Sequence, residues 1–333
     1  MRQARFSGGG VELVDARPRP LEDGWVRLAV EACGICGSDL HMMRGHTQVP
    51  EWLVPGHEIV GVPTDGPRGL VDALYAVEPR VWCGQCEFCE TGSRQLCARG
   101  NLIGVGCNGG LAETVDVPLA GLHRVPGDLD ALTASLSEPV AVCVRAINLA
   151  RLDADSRVLV IGAGTIGLLA GLLARDRAQS VAITARHAHQ QEAAKRLGLL
   201  ALSEGEADDW AVSHGPDVVI ETVGGLADTL DDAIRLCRPS GRIVVLGVFA
   251  GSRPINALAF VVKELSLIGS NTYGTTRRGP EFPAGVELVV RYRNELAPLQ
   301  THQFDLDAVA DAFACAGDKR SGAIKVTIRR SGP

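Results

Sequence analysis

The sequence predicts an α/β protein of two domains, one built on a doubly wound parallel sheet and the other β-rich. Three observations lead there. The chain has 333 residues, too many for one ordinary core at roughly 100–200 residues per domain. From about 157 to 270, apolar strand-like runs alternate with longer helical ones, whereas residues 1–135 hold short apolar stretches broken by Gly and Pro. A glycine-rich turn at 162–167 directly follows the first of those apolar runs.

Composition excludes several classes. With 46% hydrophobic and 22% charged residues, wholesale disorder is ruled out. The 33 basic residues are outnumbered by 39 acidic ones, so no basic field exists to hold a nucleic-acid backbone. Lysine occurs only at 195, 263, 319 and 325, and the arginines that replace it form no cluster. Met1-Arg2-Gln3-Ala4-Arg5 is followed by Gly8-Gly9-Gly10, which is not the apolar core of a signal peptide. The longest uncharged apolar run, 158–174, carries Gly162, Gly164, Gly167 and Gly171, and its ~17 residues are marginal for a bilayer of about 30 Å. A soluble, cytoplasmic chain is expected, with no membrane and no nucleic-acid partner.

The elements follow in order. Trp25-Val26-Arg27-Leu28-Ala29-Val30 alternates as a half-buried strand does. Ser137-Glu138-Pro139 reads as a helix opening ahead of 140–152. The runs 158–161, 181–183, 218–220 and 243–246 are apolar throughout, as parallel strands covered on both faces are, and the βαβ alternation joins them into one sheet. After about 271 the character is mixed, with a helix after Asp305 and a final strand at 323–328. The expected division is therefore 1–140, 141–270 and a return segment, 271–333.

Ten cysteines in a cytosolic chain point to metal ligands before disulfides. Cys83, Cys86, Cys89 and Cys97 form C-x2-C-x2-C-x7-C. Four thiolates in so short a stretch can surround one zinc tetrahedrally and leave no open position, so this site would hold a loop and do no chemistry. Two disulfides or an iron–sulfur cluster are the alternatives. A second, open set stands elsewhere: Cys36 in Cys33-Gly34-Ile35-Cys36-Gly37-Ser38-Asp39-Leu40-His41, and His57 in Gly56-His57-Glu58. Either Glu58 or Glu138 could complete it. Three protein ligands with a free fourth position are the arrangement of catalytic zinc.

Val158-Leu159-Val160-Ile161-Gly162-Ala163-Gly164-Thr165-Ile166-Gly167 is G-x-G-x-x-G between a strand and a helix. Gly162 makes the turn, Gly164 lets a pyrophosphate approach, and Gly167 lets helix and strand close up. Thr165 and Ile166 open the helix, whose N-terminus favours phosphate. Val223 and Gly247, which follow the strand-like runs at 218–220 and 243–246, are assigned to the same cofactor site. An NAD enzyme places an acid near the end of the next strand to accept from the ribose 2′-OH. Ala185, Arg186 and His187 stand there instead. Alanine leaves space and arginine can fork onto a 2′-phosphate, so NADP(H) is expected over NAD(H).

The Cys36–His41 run, the Gly-His-Glu, the four-cysteine lobe and the glycine motif, in this order, resemble the zinc-dependent medium-chain alcohol dehydrogenases. The polyol branch, with sorbitol and threonine dehydrogenases, is the most similar. The likeness covers nearly the whole chain, including Ser321-Gly322-Ala323-Ile324-Lys325-Val326. It implies a GroES-like domain carrying two zincs, one catalytic and one structural, and a Rossmann domain binding the nicotinamide cofactor. It also implies roles. Cys36 and His57 fall on the catalytic zinc positions, Glu58 on a ligand some members use, and Glu138 on the acid that replaces a third ligand cysteine. Ser38 and His41 match a proton relay, and Asp39 a carboxylate that orients the zinc histidine. Cys33 and Cys107 match no zinc position and are read as packing residues. The Gly-Asp-Arg-Val usual before the lobe is replaced by Gly69-Leu70-Val71-Asp72-Ala73-Leu74, and the loop between His57 and Cys83 is compact.

The expected activity is hydride transfer between NADP(H) or NAD(H) and a small secondary alcohol, polyol, sugar or cyclitol. Three Tyr and seven Phe argue against an aromatic-lined pocket. A zinc-dependent aldehyde or enoyl reductase, and a non-catalytic cofactor-binding protein of the same fold, are the rival readings. Leu265-Ser266-Leu267-Ile268 reads as an apolar edge strand, which predicts a homodimer or a dimer of dimers.

Overall fold

The computed structural model describes every residue except Glu51, Arg68, Gly69, Val71 and 331–333. Gly69 and Val71, part of the run that stands in place of Gly-Asp-Arg-Val, thus lie outside the described residues. The chain forms two compact units, Met1–Ala141 with Gly274–Pro333, and Val142–Tyr273.

The Val142–Tyr273 unit holds a six-stranded sheet in the order Leu200–Leu202, Ser180–Thr184, Arg157–Ile161, Val218–Glu221, Arg242–Val245, Ser266–Gly269. Every pair is parallel. The order reverses at Arg157–Ile161, the place where a doubly wound sheet opens a crevice for ligands. Val158, Leu159 and Val160 are fully buried, which is why the run carries no polar alternation. The apolar stretch 158–174 is half strand and half helix: Thr165–Arg175 buries Leu168 through Ala174 on the sheet. Among the described residues no helix is long and apolar enough to cross a membrane. Leu200–Leu202 was not foreseen; it is an edge strand whose Leu200 is exposed, and it lacks the two-sided burial that marks the inner strands.

In the other unit a seven-stranded sheet runs His302–Asp305, Val326–Arg329, Trp25–Gly34, Glu58–Asp65, Tyr75–Val77, Leu122–Arg124, with Thr114–Pro118 also on Trp25–Gly34. Val26, Leu28 and Val30 point into a core shared with Ile59, Leu111, Phe313 and Ile328. Gly34 pairs with both Glu58 and Thr327, so the start of the tail strand and the start of the strand that opens at Glu58 flank the end of Trp25–Gly34 on its two sides. Some boundaries differ from those expected. The final strand starts at Val326, not 323, because the Lys325 N–H turns away to Leu299 O. A 3-10 turn, Leu306–Ala308, precedes the helix Val309–Gly317. Helix Ser137–Ala150 stops short of 152 where Arg151 takes a positive φ of 52°.

Candidate metal centres and dinucleotide turn

The four-cysteine lobe is built from tight local turns. Cys86 caps the short helix Glu87–Glu90, Cys89 lies on that helix's buried side, and Cys97 follows the 3-10 turn Arg94–Leu96. The sulfurs of Cys83 and Cys97 are 3.5 Å apart, Cys86 and Cys89 3.5 Å, Cys86 and Cys97 3.7 Å, Cys83 and Cys89 3.9 Å. Four thiolates about 2.3 Å from one zinc would be separated by about 3.8 Å, so the cluster of four sulfurs has the right size. The backbone N–H of Gln85 lowers the Cys83 thiol to about 6, and that of Cys89 lowers Cys86. Both shifts favour the thiolate that a metal requires. All ten cysteines are free of disulfides.

The open set is assembled from distant segments. Cys36 follows Trp25–Gly34 directly and caps the helix Gly37–Met43. Its backbone N–H donates to Asp39 Oδ2 at 2.8 Å, while Asp39 Oδ1 faces His57 Nδ1 at 3.7 Å. The fully buried Asp39 carboxylate thus lies beside the His57 ring. Donor atoms of Cys36, His57 and Glu58 all lie within 4.8 Å of one another. Ser38 Oγ is 3.5 Å from His57 Nε2. His41 is three residues further along the helix, on the face Ser38 shares. Glu138, the second residue of Ser137–Ala150, is buried close by but outside the 4.8 Å group.

These residues fit a divalent cation. Cys36, Asp39, Glu58 and Glu138 bring anionic groups into a buried space that holds one ammonium, Lys325. Burial raises the Glu138 carboxyl to about 7, with the Glu58 and Asp39 charges adding to the effect. Burial lowers the His57 pKa, but Asp39, Cys36 and Glu138 outweigh it and raise it well above its ordinary value. A site that pulls protons onto a carboxyl and an imidazole lacks positive charge, which zinc would supply.

Lys325 lies in the closing motif, where the sequence alone assigns it no role. It forms a buried ion pair with Glu58 Oε2 and donates to Ile35 O at 2.9 Å. Gly34 makes room for the pair, since a Cβ there would collide with both side chains. The available signal was a lysine, one of four, inside an apolar strand-like run.

In the second unit the glycine motif has the expected form. Gly162 has φ 99°, and a Cβ on it would strike Val223. A Cβ on Gly167 would strike the Gly162 carbonyl, whereas Gly164 faces open space. Thr165 and Ile166 begin the helix Thr165–Arg175, with Gly164 at its cap. The Thr184 hydroxyl accepts from the Gly162 N–H at 2.8 Å, and the Thr222 hydroxyl donates to Ile161 O at 2.8 Å. Val223 donates its N–H to the buried Glu221 carboxylate, and Gly247 packs against that same side chain. Ala185 is buried, and His187 caps the helix Ala188–Arg196. Arg186 is exposed and already engaged: its Nε donates to Glu204 Oε1 at 2.6 Å.

Residues 22–127 match the alcohol dehydrogenase GroES-like domain family, and 165–291 the zinc-binding dehydrogenase family. An L-threonine 3-dehydrogenase of Streptomyces avermitilis is 32% identical over 334 residues, 95% of each chain. A 2-dehydro-3-deoxy-L-galactonate 5-dehydrogenase of Pseudoalteromonas atlantica is 29% identical over 305 residues, 87% of each. The crystal structure of galactitol-1-phosphate dehydrogenase from Escherichia coli superposes with a TM-score of 0.89 at 25% identity, covering 99% of this chain and 100% of that one.

Proposed function

The chain belongs to the zinc-dependent medium-chain alcohol dehydrogenases, in the polyol branch, and from that premise we propose that it oxidises a secondary hydroxyl of a small polyol or sugar derivative, with NADP(H) preferred over NAD(H). The observation that carries the reading is the group Cys36, His57 and Glu58, three unlike donors within 4.8 Å, with a hydroxyl at Ser38 beside them. We assign residues 1–140 and 271–333 to the catalytic domain and 141–270 to the dinucleotide domain.

Two zinc ions per chain are proposed. Cys83, Cys86, Cys89 and Cys97 would hold the structural one. Cys36, His57 and Glu58 would hold the other, with Glu138 as the adjacent acid outside the donor group. Zinc, when bound at the open set, supplies a Lewis acid that polarises the substrate oxygen, and the nicotinamide, when bound, supplies the hydride acceptor. The remaining work falls to the chain itself. Asp39 holds the His57 ring in orientation, Ser38 Oγ receives the proton of the substrate hydroxyl, and His41 carries it onward. At the other site Gly162, Gly164 and Gly167 shape the phosphate turn, Thr165 and Ile166 lie at the positive end of the helix dipole, and Val223 and Gly247 line the neighbouring strand ends. Ala185, Arg186 and His187 meet the adenosine ribose.

A cytoplasmic homodimer or homotetramer completes the reading. Ser266–Gly269 is an edge strand, and Leu258, Val261, Val262 and Leu267 around it are exposed, which favours pairing with a second copy. The test is absorbance at 340 nm with purified, zinc-reconstituted protein against a polyol and sugar-acid panel with NADP and NAD, beside a carbonyl panel with NADPH. Turnover of a polyol is expected. Reduction of aldehydes or enones alone would replace this reading with a reductase, and no turnover in either panel would replace it with a binding protein.

A further inference from the structure

We propose that His46 is a second imidazole in the proton path, accepting from His41 and releasing to water. The inference rests on the reading of Ser38 and His41 as a relay and extends it to solvent. It begins with the way the helix Gly37–Met43 ends. The Gly45 N–H bonds to Met42 O and the His46 N–H to His41 O, both at 3.0 Å, and Gly45 has φ 72°. These are the paired back-bonds of a left-handed helix cap, a turn that folds the residue after the glycine onto the last helical turn. The two side chains so opposed usually make an apolar contact. Here both are imidazoles, with Nδ1 atoms 3.1 Å apart and ring centroids 5.4 Å apart.

At that separation one ring nitrogen donates and the other accepts. A proton arriving at His41 Nε2 lets the Nδ1 proton pass to His46 Nδ1, and the proton on His46 Nε2 leaves to water. One proton enters and one leaves, so no charge accumulates. His46 is exposed and His41 half-buried, which gives the path a direction. Burial, His46, Arg44 at the helix end and Lys319 from the turn Lys319–Ser321 all lower the His41 pKa. With these neighbours His41 stays neutral and ready to accept.

Two measurements test this. In ring 15N NMR titrations of the zinc-loaded protein, wild-type His41 and His46 should titrate as a coupled pair, and His46→Gln should shift the His41 curve upward. Independent curves, with His41 unmoved by the substitution, overturn the proposal; this arm needs no substrate. In the second, D-sorbitol with NADP at low buffer concentration is the probe pair. His46→Ala should lower kcat about tenfold, a fraction of the 10²–10⁴ typical of general acid–base groups. KM should hold, and free imidazole should restore the rate in a concentration-dependent way. A loss confined to KM, or one that imidazole leaves untouched, is a structural effect and overturns the proposal. A full rate in His46→Ala beside a depressed one in His41→Ala removes the outer step alone; full rates in both remove the relay reading itself.

Discussion

The two units place chemistry by different means. In the Val142–Tyr273 unit the binding features are mostly backbone: a turn that only glycine allows at 162, a helix cap, and strand ends. In the other unit they are side chains, brought from positions 36, 57–58, 138 and 325 into one buried space. A backbone N–H survives any single substitution except to proline, whereas a thiolate does not. The unit that holds the candidate metal ligands should therefore fail abruptly under single changes, and the Val142–Tyr273 unit should respond by degrees.

The largest effect belongs to the donors. Cys36→Ala should abolish turnover, by a factor of a thousand or more as an order of magnitude for loss of metal-assisted catalysis, while circular dichroism and melting stay close to wild type. Cys89→Ala should instead lower the melting temperature and release zinc from the lobe, because three thiolates are left around an incomplete tetrahedron. Elemental analysis after reconstitution should read about two zincs in the wild type and about one in either variant. Retained activity in Cys36→Ala would remove the open metal site from the mechanism.

The next effect concerns Lys325. Breaking a buried ion pair by removing one partner costs about 3–5 kcal/mol, since the other charge is stranded. Lys325→Met should therefore destabilise the metal-free protein by that order. With zinc bound, Glu58 has a second partner and the loss should shrink. Urea midpoints measured with zinc and with a chelator separate the cases. An equal loss in both would show that Glu58 does not reach the metal, leaving Glu138 as the third ligand.

Much of this was legible beforehand, and the boundary follows from locality. The cysteine lobe and the glycine motif can be read because their partners lie within a short stretch, so spacing carries geometry. Four of the five foreseen strands of the parallel sheet are visible because burial on both faces leaves an unbroken apolar run; the fifth, Ser266–Gly269, is a largely exposed edge strand. Cys36 and His57 stand out by residue type as an open ligand set, but they lie far apart in the chain, and only the family resemblance places them on catalytic zinc positions. Lys325 reaches Glu58 only because the tail strand pairs with Trp25–Gly34, a register no local signal encodes. His46 is the opposite case: its partner is only five residues away, but a glycine-dependent cap joins them, and spacing alone does not show it.

A smaller effect probes the dinucleotide unit at its base. Burial pushes the Asp217 carboxyl up, but hydrogen bonds from the Arg157 side chain and N–H and from Arg238 outweigh it and bring it down to about 2. A depressed carboxyl contributes stability that is present above its unfolded value near 3.9 and lost as pH falls toward the folded one. The difference amounts to about 2 kcal/mol. Asp217→Asn should forfeit it at pH 7, with the gap between the two proteins closing between pH 4 and 2. Urea midpoints across that range check it; a gap that persists at pH 2 would point to packing instead of charge.

The smallest effect, and the finest test of the graded response, is cofactor choice. Ala185 offers no carboxylate to a 2′-OH, which favours NADP, but Arg186 is not free to meet a 2′-phosphate: it already pairs with Glu204. Both side chains are about two-thirds exposed, so their bond is worth roughly 0–1 kcal/mol. A charge-assisted contact to phosphate is worth about 1.5–3 kcal/mol. Arginine should therefore exchange partners when NADP binds, at a cost that trims the preference without reversing it. Glu204→Gln should then raise the ratio of kcat/KM for NADP over NAD by a few-fold, the equivalent of about 0–1 kcal/mol. Ala185→Asp with Arg186→Leu should move the ratio the other way, toward NAD, because an acid repels the 2′-phosphate and accepts from the 2′-OH. If Glu204→Gln lowered the ratio, Glu204 would be presenting the arginine to the phosphate and not competing for it. If neither variant moved the ratio, discrimination would lie with backbone geometry alone, and the contrast between the two units would be sharper still.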